Sequence, residues 1–196
     1  LGRSELQLKW AQAAHERFAL LREVVAHPNA APRLERADEW LIYYDGCEGG
    51  YDRFVANRAQ DSLLEGMPVS SFAAVLDVDA SNPAQVETRW GRAIPARYRD
   101  LMPDLDLVDE EPARFLGCAC VSLPYSDDED KIPGFDRGGA VRTRIADFLL
   151  AHGLRQSGAI VAPCVLPVRG KVYTRLYVPV EQVQPDVVLH LAALSD

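Results

Sequence analysis

The chain has 196 residues, 48% of them apolar, and a formal net charge of −8. That length supports one substantial hydrophobic core, and no run approaches the roughly 18 consecutive apolar residues that a membrane-spanning helix needs. The excess of acid repels phosphate backbones and sets the chain against nucleic acid as a partner.

The periodicity predicts a first helix from about Ser4 to Val25. Ser4 and Gln7 fit a capping box, and Leu6, Trp10, Ala13, Ala14, Phe18, Leu21, Val24 and Val25 recur at helical spacing. His27-Pro28-Asn29 ends it, and 28–38 reads as a connector of breakers and turn formers. Trp40 to Asp45 alternates as a strand. A loop carrying Gly49-Gly50 leads into a helix from Tyr51 to Glu65, stopped by Gly66, which lacks the β-carbon that disfavours a left-handed cap. Ser71 to Val78 and Val86 to Ile94 follow as strands around the turn-rich stretch Asp79 to Pro83.

Pro95 to Pro112 connects to the second half, with a helical turn or two at Arg97 to Met102. Ala113 to Leu123 reads as one strand and Pro124 to Gly139 as a long polar loop, a length often tied to function. Ala140 to His152 is a helix with Val141, Ile145, Phe148 and Leu149 on one stripe, stopped by Gly153. Ala159 to Val168 and Lys171 to Val180 form a hairpin across Arg169-Gly170. Val187 to Leu194 is a further apolar segment, strand or helix.

The order strand, glycine-pair loop, helix, two strands therefore occurs twice. It predicts an α+β fold of tandem β-α-β-β repeats with pseudo-two-fold symmetry. The sheet is antiparallel, the helices lie on one face, and an extra helix precedes it. The expected divisions are 1–38 for the N-terminal helix and connector, 39–181 for the tandem-repeat domain and 182–196 for a tail. Repeat one covers about 39–95 and repeat two about 113–181.

Signatures of chemistry are sparse. The chain lacks Gly-x-Ser-x-Gly, a P-loop and Gly-x-Gly-x-x-Gly. His15, His27, His152 and His190 show no metal spacing, and His152 suits the negative end of its helix. No catalytic residue, metal or cofactor is expected. Cys47, Cys118, Cys120 and Cys164 do not form a disulfide framework, and they read as reduced thiols of a cytoplasmic protein. The chain opens on Leu1, so membrane contact is expected only through an anchor upstream of it. Acids cluster at Asp100 to Glu111 and at Asp127 to Asp130, as solvated loops or as a face for a basic protein partner. In the last strand Tyr173 and Tyr177 share a face with Lys171 and Arg175, opposite Val172, Leu176 and Val178. With Trp90 and Tyr43 they either pack across strands or wall a groove for a small apolar or aromatic ligand.

Three stretches resemble the gyrase-inhibitor-like family, also met as the effector-binding domain of multidrug-sensing regulators. They are Asp77 to Arg89, an acidic-Pro turn leading to an Arg; the helix ending at His152-Gly153-Leu154; and Val172 to Val180, a closing strand with Pro179 between apolar residues. The resemblance covers about residues 39–181 and implies a ligand groove between the repeats. Many members carry a Glu before the final hairpin, whereas Pro163 to Val168 here holds no acid. The expected function is a non-enzymatic binding protein holding a largely apolar ligand at Tyr43, Trp90, Tyr173 and Tyr177. Two alternatives stand beside it: a protein-binding inhibitor or adaptor using the acidic surface, and a small-molecule hydrolase using a groove carboxylate.

Overall fold

The computed structural model describes residues 3–44, 70–78, 86–101, 112–128 and 139–183. The helix expected at Tyr51 to Glu65 and the apolar segment at Val187 to Leu194 lie outside the described residues. Among the described residues the fold is α+β: one large antiparallel sheet, a long N-terminal helix and a shorter second helix. No helix among them is long and apolar enough to cross a membrane.

Helix α1 spans Arg3–Ala26. Its contact line runs through Ala13, Arg17, Leu20, Leu21 and Val24, of which Ala13, Leu21 and Val24 are buried. Phe18 and Val25, expected on the apolar face, are exposed, and Phe18 is 68% accessible. Trp10 adds an apolar contact beside Ala13, and polar ties supplement this narrow line.

Strand β1 (Arg33–Arg36) forms within the expected connector. Its sequence, Arg-Leu-Glu-Arg, has too little apolar content to read as a strand alone, and β6 supplies its partner groups. Strand β2 (Glu39–Tyr44), β3 (Ser71–Val78) and β4 (Val86–Pro95) match the expected positions, and a 3-10 turn over Ala96–Leu101 follows. The run from Ala113 is two strands, β5 (Ala113–Leu116) and β6 (Ala119–Asp128). Gly117, at φ 76°, turns the backbone into the left-handed region between them. Cys118 lies in that break, off the strand that carries Cys120. Strand β6 continues through Pro124 to Asp128, where a loop was expected, because β10 pairs with it along that length.

Helix α2 (Ala140–Ala151) precedes the short strands β7 (Leu154–Gln156), β8 (Ile160–Ala162) and β9 (Val165–Val168), and the long strand β10 (Lys171–Gln182). Arg169 and Gly170 take φ of 50° and 75°, as a tight two-residue hairpin requires, and Val168 pairs with Lys171. Pro163 and Cys164 separate β8 from β9, and two side chains secure their carbonyls. Ser71 Oγ donates to the Pro163 carbonyl at 2.6 Å and Thr174 Oγ1 to the Cys164 carbonyl at 2.8 Å. Thr174 is fully buried, so Thr174→Val removes a donor that water cannot replace. Urea titration is expected to show a loss of about 1–2 kcal/mol.

The strand order is β1-β6-β10-β8-β3-β4-β2-β5, with β7 and β9 also on β10. The two end pairs belong to one ladder. Arg33 faces Ser122 in the first and Glu39 faces Leu116 in the second, with no change of register across the intervening breaks. The breaks bond each other: Ala37 N–H donates to the Cys118 carbonyl at 3.0 Å and Gly117 N–H to the Asp38 carbonyl at 3.2 Å. Each end of the sheet thus holds one strand from 33–44 and one from 113–128.

The main core joins Val121, Leu123, Leu176, Val178 and Trp90 to Val141, Ile145 and Leu149 of α2. The apolar face of β10 packs on a helix as expected. Its other face, carrying Arg175 and Tyr177, lies under α1. A second cluster, Ile42, Ala73, Val75, Ala93 and Val161, fills the opposite side of the first-half strands.

A candidate cleft between the first helix and the sheet

A cleft of about 290 Å³ lies between α1 and the sheet. Helix α1 contributes Ala13, Glu16, Arg17 and Leu20, one side of its contact line. The bend between β1 and β2 contributes Glu35, Arg36, Ala37 and Asp38, and β2 adds Trp40. Ser71 of β3, Pro95 of β4 and Arg97-Tyr98 of the 3-10 turn form one end, and Tyr177 of β10 the other. The bend faces the second half directly: Arg36 Nη2 donates to the Gly117 carbonyl at 3.1 Å, and Cys120 Sγ approaches the Glu35 carbonyl at 3.6 Å.

The rim is held by Arg97. One nitrogen donates to Asp38, the other to Glu16 Oε2 at 2.6 Å, and the guanidinium carbon lies 4.9 Å from the centre of the Tyr98 ring. This fork ties α1 to the 3-10 turn and the strand bend at once. Burial alone would raise the Glu16 carboxyl; hydrogen bonds, led by that from Arg97, reverse this and leave it below its ordinary value of 4.5. A depressed carboxyl contributes stability above the unfolded value and loses it as pH falls through the folded one. Amide protection factors in the middle of α1 are therefore expected to fall below about pH 4.5, before global unfolding. Glu16→Gln should remove that acid-dependent step.

Further along α1, Arg17 Nη1 donates to the Ser70 carbonyl at 2.7 Å, beside Ser71 in the cleft wall. The Tyr98 hydroxyl is buried beside Glu16 and Arg97, and burial raises its phenol above the ordinary value. Burial pushes the phenol of Tyr177 up, and the nearby Glu35 carboxylate pushes it further, so Tyr177 stays neutral. Burial likewise raises the Cys120 thiol to about 12, aided by Glu35, which leaves it a packing group without nucleophilic character. Behind Tyr177 on the same strand face, Arg175 is 2% exposed. Its Nη2 meets Glu23 Oε1 of α1 at 2.8 Å, its Nη1 meets Ser122 Oγ at 3.3 Å, and its Nε finds no partner among the described residues.

Of the four aromatic residues singled out from the sequence, Tyr177 lines the cleft. Tyr43 packs with Ala13, Leu41, Ile94, Tyr98 and Leu101. Trp90 sits in the main core with α2. Tyr173 is half-buried two pairs from the end of β10, opposite Ser126 and Leu166. The structure does not bring the four together in the cleft. Trp40, Tyr98, Glu35 and Arg97 take the wall positions, and three of these lie in stretches that read as connectors. The available signal was the charge alternation of Arg33 to Arg36, which suits an edge strand.

No protein-family model matches the chain, and no curated protein matches it.

Proposed function

We propose that this chain is a non-enzymatic binding protein that holds a small ligand in the cleft between α1 and the sheet. The observation that carries this reading is the cleft's position at the reciprocal bonds between Ala37-Asp38 and Gly117-Cys118, where residues of both halves meet. Trp40, Tyr98 and Tyr177 offer flat apolar walls, and Glu35, Arg36 and Ser71 offer polar groups that would orient a ligand. The volume suits a small organic molecule at the lower end of the usual range of roughly 300–1,000 Å³.

The tandem β-α-β-β reading belongs to the same proposal, and the strand order supports it. Read from either end, each position is taken by the counterpart from the other half: β1 with β5, β6 with β2, β10 with β4, β8 with β3. Both halves open with a four-residue strand, a two-residue break and a longer strand. The gyrase-inhibitor-like resemblance rests on that order together with the three short stretches of sequence.

The test is a set of neutral aromatic and aliphatic compounds screened by tryptophan fluorescence and thermal shift. Trp40, in the cleft wall, is expected to report binding, and a ligand at a hundred times its Kd should stabilise the fold by about 2.7 kcal/mol. Tyr177→Ala should abolish the response. No response across the set, or one that Tyr177→Ala leaves unchanged, would sink the reading.

A further inference from the structure

Two arginines from different strands meet one carboxylate oxygen at the edge of the cleft. Arg33 Nη1 of β1 lies 3.0 Å and Arg175 Nη2 of β10 lies 2.8 Å from Glu23 Oε1 of α1. The two cations differ in setting. The Arg33 side chain is half exposed and also holds Glu35 Oε2 at 2.7 Å through Nε. The Arg175 side chain is 3% exposed, and its Nε is a buried donor without a partner among the described residues. Among the described residues, Glu23 and a long contact to Ser122 Oγ satisfy this guanidinium. A guanidinium taken out of water is costly to keep, and an apolar residue packs a helix onto a sheet at lower cost. Both arginines lie within electrostatic reach of Tyr177, whose ring lines the cleft. A preorganised pair of donors thus adjoins an aromatic wall, and one carboxylate of α1 occupies it.

We infer that Arg175, Arg33 and Ser122 form an anion receptor, and that Glu23 occupies it as a resident stand-in for the carboxylate of a ligand. The ligand class is an amphipathic monocarboxylate: its head group replaces Glu23 on the two guanidinium groups, and its apolar body lies along Tyr177 in the cleft. Helix α1 is then an autoinhibitory latch. Ligand and Glu23 compete for the same donors, so affinity for the carboxylate and docking of this end of α1 oppose each other. The inference rests on the cleft reading but adds a charge requirement that the cleft reading does not have.

The test compares octanoate with its uncharged counterpart octanamide, by fluorescence titration and by amide exchange over residues 20–26. Octanoate is expected to bind more tightly than octanamide and to speed exchange in that end of α1. Glu23→Gln removes the competitor and should tighten octanoate about tenfold while leaving octanamide unchanged. Arg175→Met should erase the preference for the carboxylate; if that variant does not fold, Arg33→Gln at the rim should weaken octanoate about threefold. Equal affinity for both compounds, unaltered by Glu23→Gln, overturns the receptor and leaves the cleft standing. Failure of both compounds to bind either protein overturns the receptor and counts against the cleft as well.

Discussion

Gly91→Ala should lower the unfolding free energy by about 3 kcal/mol, near the upper end of the cost of forcing an extra methyl into packed structure. Gly91 lies in β4 opposite Tyr44 and Ala73. A β-carbon there would come within 2.4 Å of the Tyr43 carbonyl oxygen, a backbone atom held in the β2–β4 ladder. A backbone oxygen cannot rotate aside as a side chain does, so the strands must separate at the point where Tyr43 and Ile42 anchor two core clusters. For a chain of this size the loss corresponds to a fall of roughly 10 °C in Tm. Gly158→Ala is the control. Its β-carbon would meet Pro179 Cγ at 3.5 Å, an ordinary contact, and its Tm should move little. Equal effects at the two sites, in differential scanning calorimetry, would show that the close approach to Tyr43 is not what Gly91 is for.

Glu23→Leu should cost about 2 kcal/mol, because it leaves the buried Arg175 guanidinium without its carboxylate. The Glu23 side chain is 43% accessible, which keeps the figure below the 3–5 kcal/mol typical of a fully buried pair. The double variant Glu23→Leu with Arg175→Met should recover most of the loss, since apolar packing replaces the pair at no charge penalty. A double-mutant cycle by urea denaturation measures the coupling directly. Additive losses would mean that the two side chains act separately and that this end of α1 does not depend on the pair.

The contrast between α1 and α2 shows what the sequence made legible. The stripe Val141, Ile145 and Leu149 is buried as its spacing requires, and the hairpin at Arg169-Gly170 takes the two left-handed residues expected of it. These features are local: a helix stripe and a tight turn depend on residues within a few positions of one another. In α1 the same rule names too many residues. Phe18 and Val25 fit the period, yet the helix is buried at Ala13, Leu21 and Val24, and Glu16 and Glu23 are fixed by Arg97 and by Arg175 with Arg33. Arg97 and Arg175 are far along the chain from α1, and no short window of sequence contains them with their partners.

The candidate cleft was legible only in part for the same reason. Tyr177 is identified by its place on the polar face of the last strand, which alternation fixes. Trp90 and Tyr43 stand on strands that were correctly placed, but which face of a strand meets a helix and which meets a cleft depends on what lies above it. Arg33 to Asp38 and Arg97-Tyr98 read as connectors because they lack apolar periodicity. Pairing with β6 and β5 across the chain turns the first stretch into strand and bend, and the 3-10 turn carries the second to the cleft rim.

Short-range periodicity and backbone sterics were enough to read the class of fold, the strands at 71–78, 86–95 and 171–182, the second helix, and the turns at Gly153 and Arg169-Gly170. Only the tertiary structure decided that β1 and β5 cross to pair with the opposite half, that α1 covers the Arg175 face of β10, and that a cleft opens beneath it. Those are outcomes of long-range pairing and of charge neutralisation between segments distant in sequence, where the free energy depends on which groups meet and no local pattern records the meeting.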